Sequence, residues 1–143
     1  MNARTPTLGL EQMFRALADR TRLRLLNLMD GQEICVCYLV EITGEGQPKI
    51  SRHLAYLRRA GIVAARREGK WMHYRITAPR EHAAKQVLDA ALATLREDKT
   101  MQADRARLTR ACCGQEQSNA TRCAPLPRSL ASPPPGQKEC RLP

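Results

Sequence analysis

With 143 residues, the chain is long enough for one domain and too short for two of ordinary size. Its formal net charge of +10, from 24 Lys and Arg against 14 Asp and Glu, is typical of a protein that binds a polyanion, most often nucleic acid. No apolar run approaches the roughly 20 residues that span a bilayer, and no apolar signal-peptide core follows Met1, so we expect a cytoplasmic protein with no membrane partner.

Two amphipathic helices are predicted at the start of the domain, after an amino-terminal arm over residues 1–9. Apolar residues recur at helical spacing between residues 10 and 18. A second helix follows, for which Asp19 or Thr21 is a suitable N-cap and Gly31 a suitable end.

A pair of shorter helices joined by a glycine-containing turn comes next. The first covers roughly residues 36–42 and ends at a turn over residues 43–46. The second begins at Gln47, because Pro48 tolerates the missing donor of a first turn. It runs to Gly61 with its apolar side chains on one face.

Beyond this pair the hydrophobic period changes to that of strands. Residues 62–67 and 71–76 are predicted to form a hairpin with Gly69 in its turn. A long helix with a broad apolar stripe is expected at residues 80–95, with a more polar continuation towards residue 108. The stripe could join two subunits, or it could pack within the monomer.

The carboxyl-terminal segment differs in composition from the rest of the chain. Beyond Cys113 it is rich in Gly, Ser, Pro and Gln and includes three consecutive prolines. Such a segment cannot bury enough apolar surface to offset its ordering entropy, so residues 114–143 are predicted to be a disordered tail. The folded domain is predicted to cover residues 10–113.

The order of the elements is that of a winged helix-turn-helix, a mostly α-helical fold with a small β-hairpin. Positive charge is concentrated on the second helix of the pair and on the hairpin, whereas a charge that served solubility alone would be scattered. Side chains on these elements can reach base edges and phosphates when the helix lies in the major groove. The candidate DNA-binding residues are Gln47, Lys49, Ser51, Arg52, His53 and Tyr56 on the helix, and Arg66, Arg67 and Lys70 on the hairpin.

Several segments, in the right order, closely resemble the ArsR/SmtB family of repressors. Residues 47–61 are similar to the family's recognition helix, and residues 17–22 and 67–75 also carry the likeness. The run Glu33-Ile34-Cys35-Val36-Cys37 resembles the Glu-Leu-Cys-Val-Cys signature of the arsenic-sensing branch. The resemblance covers about residues 10–113.

This resemblance implies a homodimer joined by its terminal helices. Each subunit would carry one helix-turn-helix with its hairpin, which we call the reading head. A two-fold dimer presents its recognition helices roughly 34–36 Å apart and therefore binds an inverted-repeat operator in double-stranded DNA. No cofactor is expected for DNA binding. The inducer implied for this branch is trivalent arsenic or antimony held by cysteine thiolates.

The candidate inducer ligands begin with Cys35 and Cys37, at the entrance of the first helix of the pair. Residues two apart in a helix point to nearly opposite sides, so both sulfurs are expected to reach one centre only if the helix start is unwound. We therefore expect ligand capture to distort this helix and weaken DNA contacts. The alternative is that both cysteines are small buried hydrophobes.

A third thiolate is expected because trivalent arsenic usually takes three. The arsenic-sensing branch often has a cysteine where this chain has Val40, and an acid where it has Tyr38. The missing ligand could come from Cys112 or Cys113, although these two could also form a separate site. Zinc-type sites need more histidines than the single one between residues 80 and 113, and cadmium-type sites need cysteines in the amino-terminal arm, so a metalloid is favoured.

Three functions follow from these patterns. The leading hypothesis is a repressor of an arsenic-resistance operon that trivalent arsenic or antimony releases from DNA. The second is a repressor that senses thiol oxidation, at Cys35 and Cys37 or at Cys112 and Cys113. The third is a thiol enzyme such as an arsenate reductase, which would need an activated cysteine beside a helix amino terminus or an anion-binding loop, and the sequence has no segment of that form. We therefore expect no enzymatic activity.

Overall fold

The computed structural model describes the backbone of residues 6–114 and the side chains of residues 9–112. The described residues form six helices and three short strands. In chain order they are α1 (Pro6–Leu17), α2 (Arg20–Met29), β1 (Ile34–Cys35), α3 (Val36–Thr43), α4 (Gln47–Arg59), β2 (Val63–Glu68), β3 (Trp71–Ile76), α5 (His82–Glu97) and α6 (Lys99–Gly114). The predicted tail lies outside the described residues, apart from its first residue, which ends α6.

The first two helices form as expected, with one difference in extent. Helix α1 begins at Pro6, four residues before the predicted start and inside the predicted amino-terminal arm. Proline is favoured in a first turn because its missing N–H would have no partner there. Helix α2 is capped by Asp19, whose carboxylate accepts a 3.0 Å hydrogen bond from the backbone N–H of Arg22.

The predicted helix-turn-helix is confirmed. Helix α3 ends at Gly44, which has φ of 71°, a conformation that glycine adopts without steric cost. Helix α4 then begins after Gly46 and buries Ile50, Leu54 and Leu57 completely against the core. Helices α2, α3 and α4 pack against one another, so the opposite face of α4 is left for other contacts.

The predicted hairpin is confirmed, but it belongs to a three-stranded sheet. Strands β2 and β3 pair antiparallel, and the two-residue strand β1 adds to the other edge of β3. The register places Ile34 opposite Tyr74 and Cys35 opposite His73. Strand β1 was not predicted, because two residues are too few to show a strand period.

The predicted long carboxyl-terminal helix is two helices that fold back on each other. The chain turns at Asp98, whose backbone N–H bonds the carbonyl of Leu95 and whose carboxylate accepts the N–H of Met101. Helix α6 therefore returns across α2 and α3. Asn27 donates a 2.9 Å hydrogen bond to the carbonyl of Met101, and Arg24 forms a 2.7 Å ion pair with Asp104.

The apolar stripe of α5 packs within the chain. Ala84, Leu88, Leu92 and Leu95 are all buried in the core. Of the two interpretations left open by the sequence, packing within the monomer therefore accounts for these four residues. No helix among residues 6–114 is both long and apolar enough to cross a membrane.

Candidate nucleic-acid interface and thiol site

Helix α4 and strand β2 enclose an open basic cleft with a volume of about 1080 Å³. Among the described residues, those that line it include five Arg and Lys side chains and no carboxylate. The lining cations are Arg22, Lys49, Arg52, Arg58 and Arg59. A concave surface of one sign attracts a polyanion of the other, so this face suits a phosphate backbone.

Four of the six predicted α4 residues lie on the outer face, as expected. Gln47, Ser51 and Arg52 are exposed. Lys49 is partly exposed and lies 3.0 Å from the carboxylate of Glu45, one turn earlier. Both partners of that ion pair are accessible to water, so a phosphate can compete for the ammonium group.

The other two α4 residues, His53 and Tyr56, are half-buried; both line the basic cleft and both contact Arg22. The ring of Tyr56 lies 4.3 Å from the guanidinium carbon of Arg22, and His53 Nδ1 lies 3.5 Å from its Nη1. His53 Nδ1 is also 3.8 Å from the carboxylate of Asp19. Burial alone would raise the pKa of Asp19, but the N–H of Arg22 and the nearby cationic groups lower it.

We call the hairpin of strands β2 and β3 the wing. Its three predicted DNA-binding residues are all exposed, but their partners differ. The Nε of Arg67 donates to the carbonyl of Gly69 at 3.0 Å, and Lys70 lies 5.0 Å from the ring of Trp71. Both side chains keep their charge directed to solvent or to a ligand.

Arg66, by contrast, already has carboxylate partners. Its Nε donates to Glu33 at 2.9 Å, and its Nη1 donates to Glu68 at 3.1 Å. The hydrogen bond from Arg66 is the main reason why the pKa of Glu33 is lowered. Since Glu33 precedes the cysteine strand β1, this ion pair joins that strand to the wing.

The two candidate sulfurs are already adjacent. Cys35 Sγ and Cys37 Sγ lie 3.1 Å apart. Cys35 is the N-cap of α3 and has extended backbone angles, φ −67° and ψ 141°, because it belongs to β1. The condition expected for both sulfurs to reach one centre, a helix start that is not wound through both cysteines, is met in this structure, because only Cys37 lies within the helix.

The third predicted thiolate is not brought to this pair. Cys112 lies near the end of α6, half-buried, and helix α6 packs against α3. Burial raises the pKa of its thiol, and the neighbouring Glu41 raises it further. The side chain of Cys113 lies outside the described residues. Within the described part of the chain, no three His, Cys, Asp or Glu side chains are grouped so that they could hold a metal ion.

The structure also gives structural roles to Arg22 and Glu33, which were noted in the sequence only as parts of segments that resemble the family. His73 is buried opposite Cys35, and its Nδ1 has no hydrogen-bond partner among the described residues. The contacts of Arg22 with α4 and of Glu33 with Arg66 join residues more than 30 positions apart along the chain. Only the spacing of Asp19 and Arg22, three apart at a helix start, was visible as a local signal.

A recognition helix beside a basic cleft, flanked by a small antiparallel wing, defines a winged helix-turn-helix DNA-binding regulator. The family model described as "Bacterial regulatory protein, arsR family" matches residues 19–65. The arsenical resistance operon repressor of Escherichia coli (strain K12) is 39% identical over 109 residues, which cover 76% of this chain and 92% of that protein. The chain belongs to the ArsR family of transcriptional repressors.

Two further proteins are similar to this chain over shorter or more diverged regions. An arsenic resistance transcriptional regulator of Pseudomonas putida is 51% identical over 65 residues, 45% of this chain and 51% of that protein. The solved structure of AntR, an antimony-specific transcriptional repressor, matches with a TM-score of 0.52 and 30% identity over 68% of this chain and 87% of that one. These relatives are transcriptional regulators by their names, and the matching family is one of DNA-binding regulators.

Proposed function

We propose that this repressor controls an arsenical-resistance operon and leaves its operator when trivalent arsenic or antimony binds Cys35 and Cys37. The observation that carries the proposal is the 3.1 Å separation of the two sulfurs at the start of the helix that packs against α4. Soft thiolates are the ligands that a thiol-seeking metalloid selects. The names of the relatives from Escherichia coli and Pseudomonas putida support an arsenical as the inducer.

Helix α6 is proposed to supply the third thiolate, from Cys112 or Cys113. To reach the pair, this end of α6 must shift along α3. Helix α6 is tied to the end of α3 through Arg24, which binds Asp104 and also donates to the carbonyl of Thr43 at 3.1 Å. A shift of α6 would therefore move the turn that leads into α4.

A second connection runs from the sulfurs to the wing. Cys35 pairs with His73 across the sheet, and Glu33 binds Arg66 on the outer strand. Displacement of Cys35 would change the position of the wing relative to α4. Release of DNA requires only that the inducer binds the displaced state better than the DNA-bound state.

On DNA, α4 is proposed to lie in the major groove of an inverted-repeat operator. Gln47, Ser51 and Arg52 would read base edges, while Lys49 and the wing residues Arg67 and Lys70 would contact phosphates. The reading head is proposed to lie within a domain of residues 10–113, followed by a tail of residues 114–143. Because its partner is the chromosome, we place the protein in the cytoplasm.

The second subunit of a homodimer is proposed to cover an apolar surface on α1 and α5. Phe14 is 56% exposed, the one large apolar side chain so exposed among the described residues. Ala83 and Ala90 on α5 are exposed as well. Since α1 and α5 pack against each other, a two-fold partner could bury both helices at once.

The proposal is tested by a DNA-release titration with fluorescently labelled operator. Arsenite and antimonite are expected to release the wild-type chain, and Cys35→Ser and Cys37→Ser are expected to abolish the response while leaving operator affinity unchanged. Cys123→Ser is the matched control and should respond normally. Release that persists in both variants would show that the site lies elsewhere.

The same short sulfur separation favours a second candidate function, a thiol redox sensor. Two thiols 3.1 Å apart need little movement to form a disulfide, with the electrons passing to an oxidant such as a peroxide. Release of operator by peroxide in metalloid-free buffer, reversed by a dithiol reductant, would support this function. Release by arsenite under reducing conditions would support the metalloid sensor.

A further inference from the structure

Arg22, in the first turn of α2, closes the end of α1. Its Nε donates to the carbonyl of Ala16 at 2.8 Å, and its Nη2 donates to the carbonyl of Arg15 at 2.9 Å. Both carbonyls belong to the last turn of a helix, where the regular N–H partners are missing and a positive charge is favoured. The guanidinium therefore fixes the position of α2 relative to the end of α1.

The same guanidinium also contacts the recognition helix. Its carbon atom lies 4.3 Å from the centre of the Tyr56 ring, and Nη1 is 3.5 Å from His53 Nδ1. Both contacted side chains are half-buried. A planar guanidinium can stack on a ring and donate several hydrogen bonds together, whereas a lysine ammonium cannot.

We propose that Arg22 is a positioning residue for operator recognition: it holds α4 in its DNA-reading orientation through Tyr56 and His53. In this arrangement Tyr56 and His53, which are half-buried and also line the basic cleft, are the contacts through which Arg22 positions α4. We call this set of contacts, from Arg22 to the end of α1 and to Tyr56 and His53, the Arg22 clamp. Since α1 packs against α5, the clamp also fixes the position of α4 relative to the surface proposed for dimerisation. The inference rests on the proposed function only for its DNA partner, and it is independent of the inducer.

The alternative role for Arg22 is a phosphate contact, because Arg22 also lines the basic cleft. The two roles differ in what they require of the side chain. A phosphate contact needs a positive charge, which Lys retains and Gln removes, and each such contact adds to the salt dependence of binding. A clamp needs the planar donor geometry and the aromatic ring beneath it.

The test measures the affinity of the full chain for operator and for unrelated DNA, over a range of salt concentrations and without arsenite. Arg22→Lys is expected to lower the ratio of operator to unrelated affinity about tenfold, which is about 1.4 kcal/mol, and to leave the salt dependence unchanged. Arg22→Gln should leave the salt dependence unchanged as well. Thermal unfolding followed by circular dichroism identifies variants that do not fold.

Variants of Tyr56 give an independent answer if substitutions at Arg22 prevent folding. Tyr56→Leu removes the ring and should lower the ratio as Arg22→Lys does, and the double variant should lose no more than either single one. Tyr56→Phe keeps the ring and should bind like the wild type. The proposal is overturned if Arg22→Lys keeps the ratio, if Arg22→Gln reduces the salt slope by about 0.9 per reading head, or if Tyr56→Phe loses operator affinity.

Discussion

Replacement of Glu33 by Gln should release Arg66 from the protein and make it available to DNA. In the structure, Arg66 is held by Glu33 through its Nε at 2.9 Å, and Glu68 is its second carboxylate partner. Removal of the Glu33 charge leaves Arg66 with one exposed carboxylate on the same strand, which a DNA phosphate can displace. The reading head would then gain one phosphate contact.

The size of the effect follows from counterion release. Each added phosphate contact makes the slope of log K against log salt steeper by about 0.9. Over a fourfold change in salt, from about 50 to 200 mM, the variant should therefore lose about 3.5-fold more affinity per reading head than the wild type. At the lower salt concentration it should bind unrelated DNA more tightly.

The assay is fluorescence anisotropy with unrelated duplex DNA, without inducer, at several salt concentrations. Glu11→Gln is the matched control, because it breaks another exposed carboxylate–arginine pair, with Arg15 on α1, outside the cleft. That variant should have the wild-type slope. If Glu33→Gln also has the wild-type slope, Arg66 does not face DNA and the interpretation of the wing is wrong.

Three further outcomes are expected. Asp104→Asn leaves Arg24 without its carboxylate at a nearly buried position, so the free energy of unfolding in urea should fall by about 2–3 kcal/mol; an unchanged value would refute the coupling of α6 to α2. Asp19→Ala should cost about 1 kcal/mol through loss of the N-cap. Because the pKa of Asp19 is lowered in the fold, its charge adds to the free energy of unfolding above the ordinary aspartate pKa. This contribution is lost as the pH falls through the folded pKa. Asp19→Asn should keep the N-cap and lose this pH dependence. Phe14→Ser should give monomers in sedimentation at concentrations where the wild type is a dimer, and unchanged dimers would place the interface elsewhere.

The local elements could be predicted because their signals lie within short stretches of sequence. Helix α4 was visible from three apolar residues at helical spacing after a proline, and the wing was visible from alternating residues around Gly69. The break between α5 and α6 was missed because the apolar pattern continues past it to Met101 and Leu108, while the turn depends on the capping bonds of Asp98.

The candidate site depends on contacts that no local pattern encodes. Cys35 and Cys37 lie together because Cys35 joins a strand paired with β3, nearly 40 residues later, and not because of their spacing in a helix. The same is true of Glu33 with Arg66 and of Arg22 with Tyr56. The cysteines and basic residues of the candidate site could be named from the sequence, but their partners required the tertiary structure.

The most direct measurement of the central claim compares operator affinity of the full chain when empty and when fully loaded with arsenite, with loading confirmed by arsenic analysis of the same sample. Coupling between ligand sites is typically worth about 1–3 kcal/mol, so the loaded protein should bind its operator roughly 5- to 150-fold more weakly. Equal affinity of the two forms would contradict the claim that occupation of the Cys35–Cys37 pair displaces the DNA-reading elements.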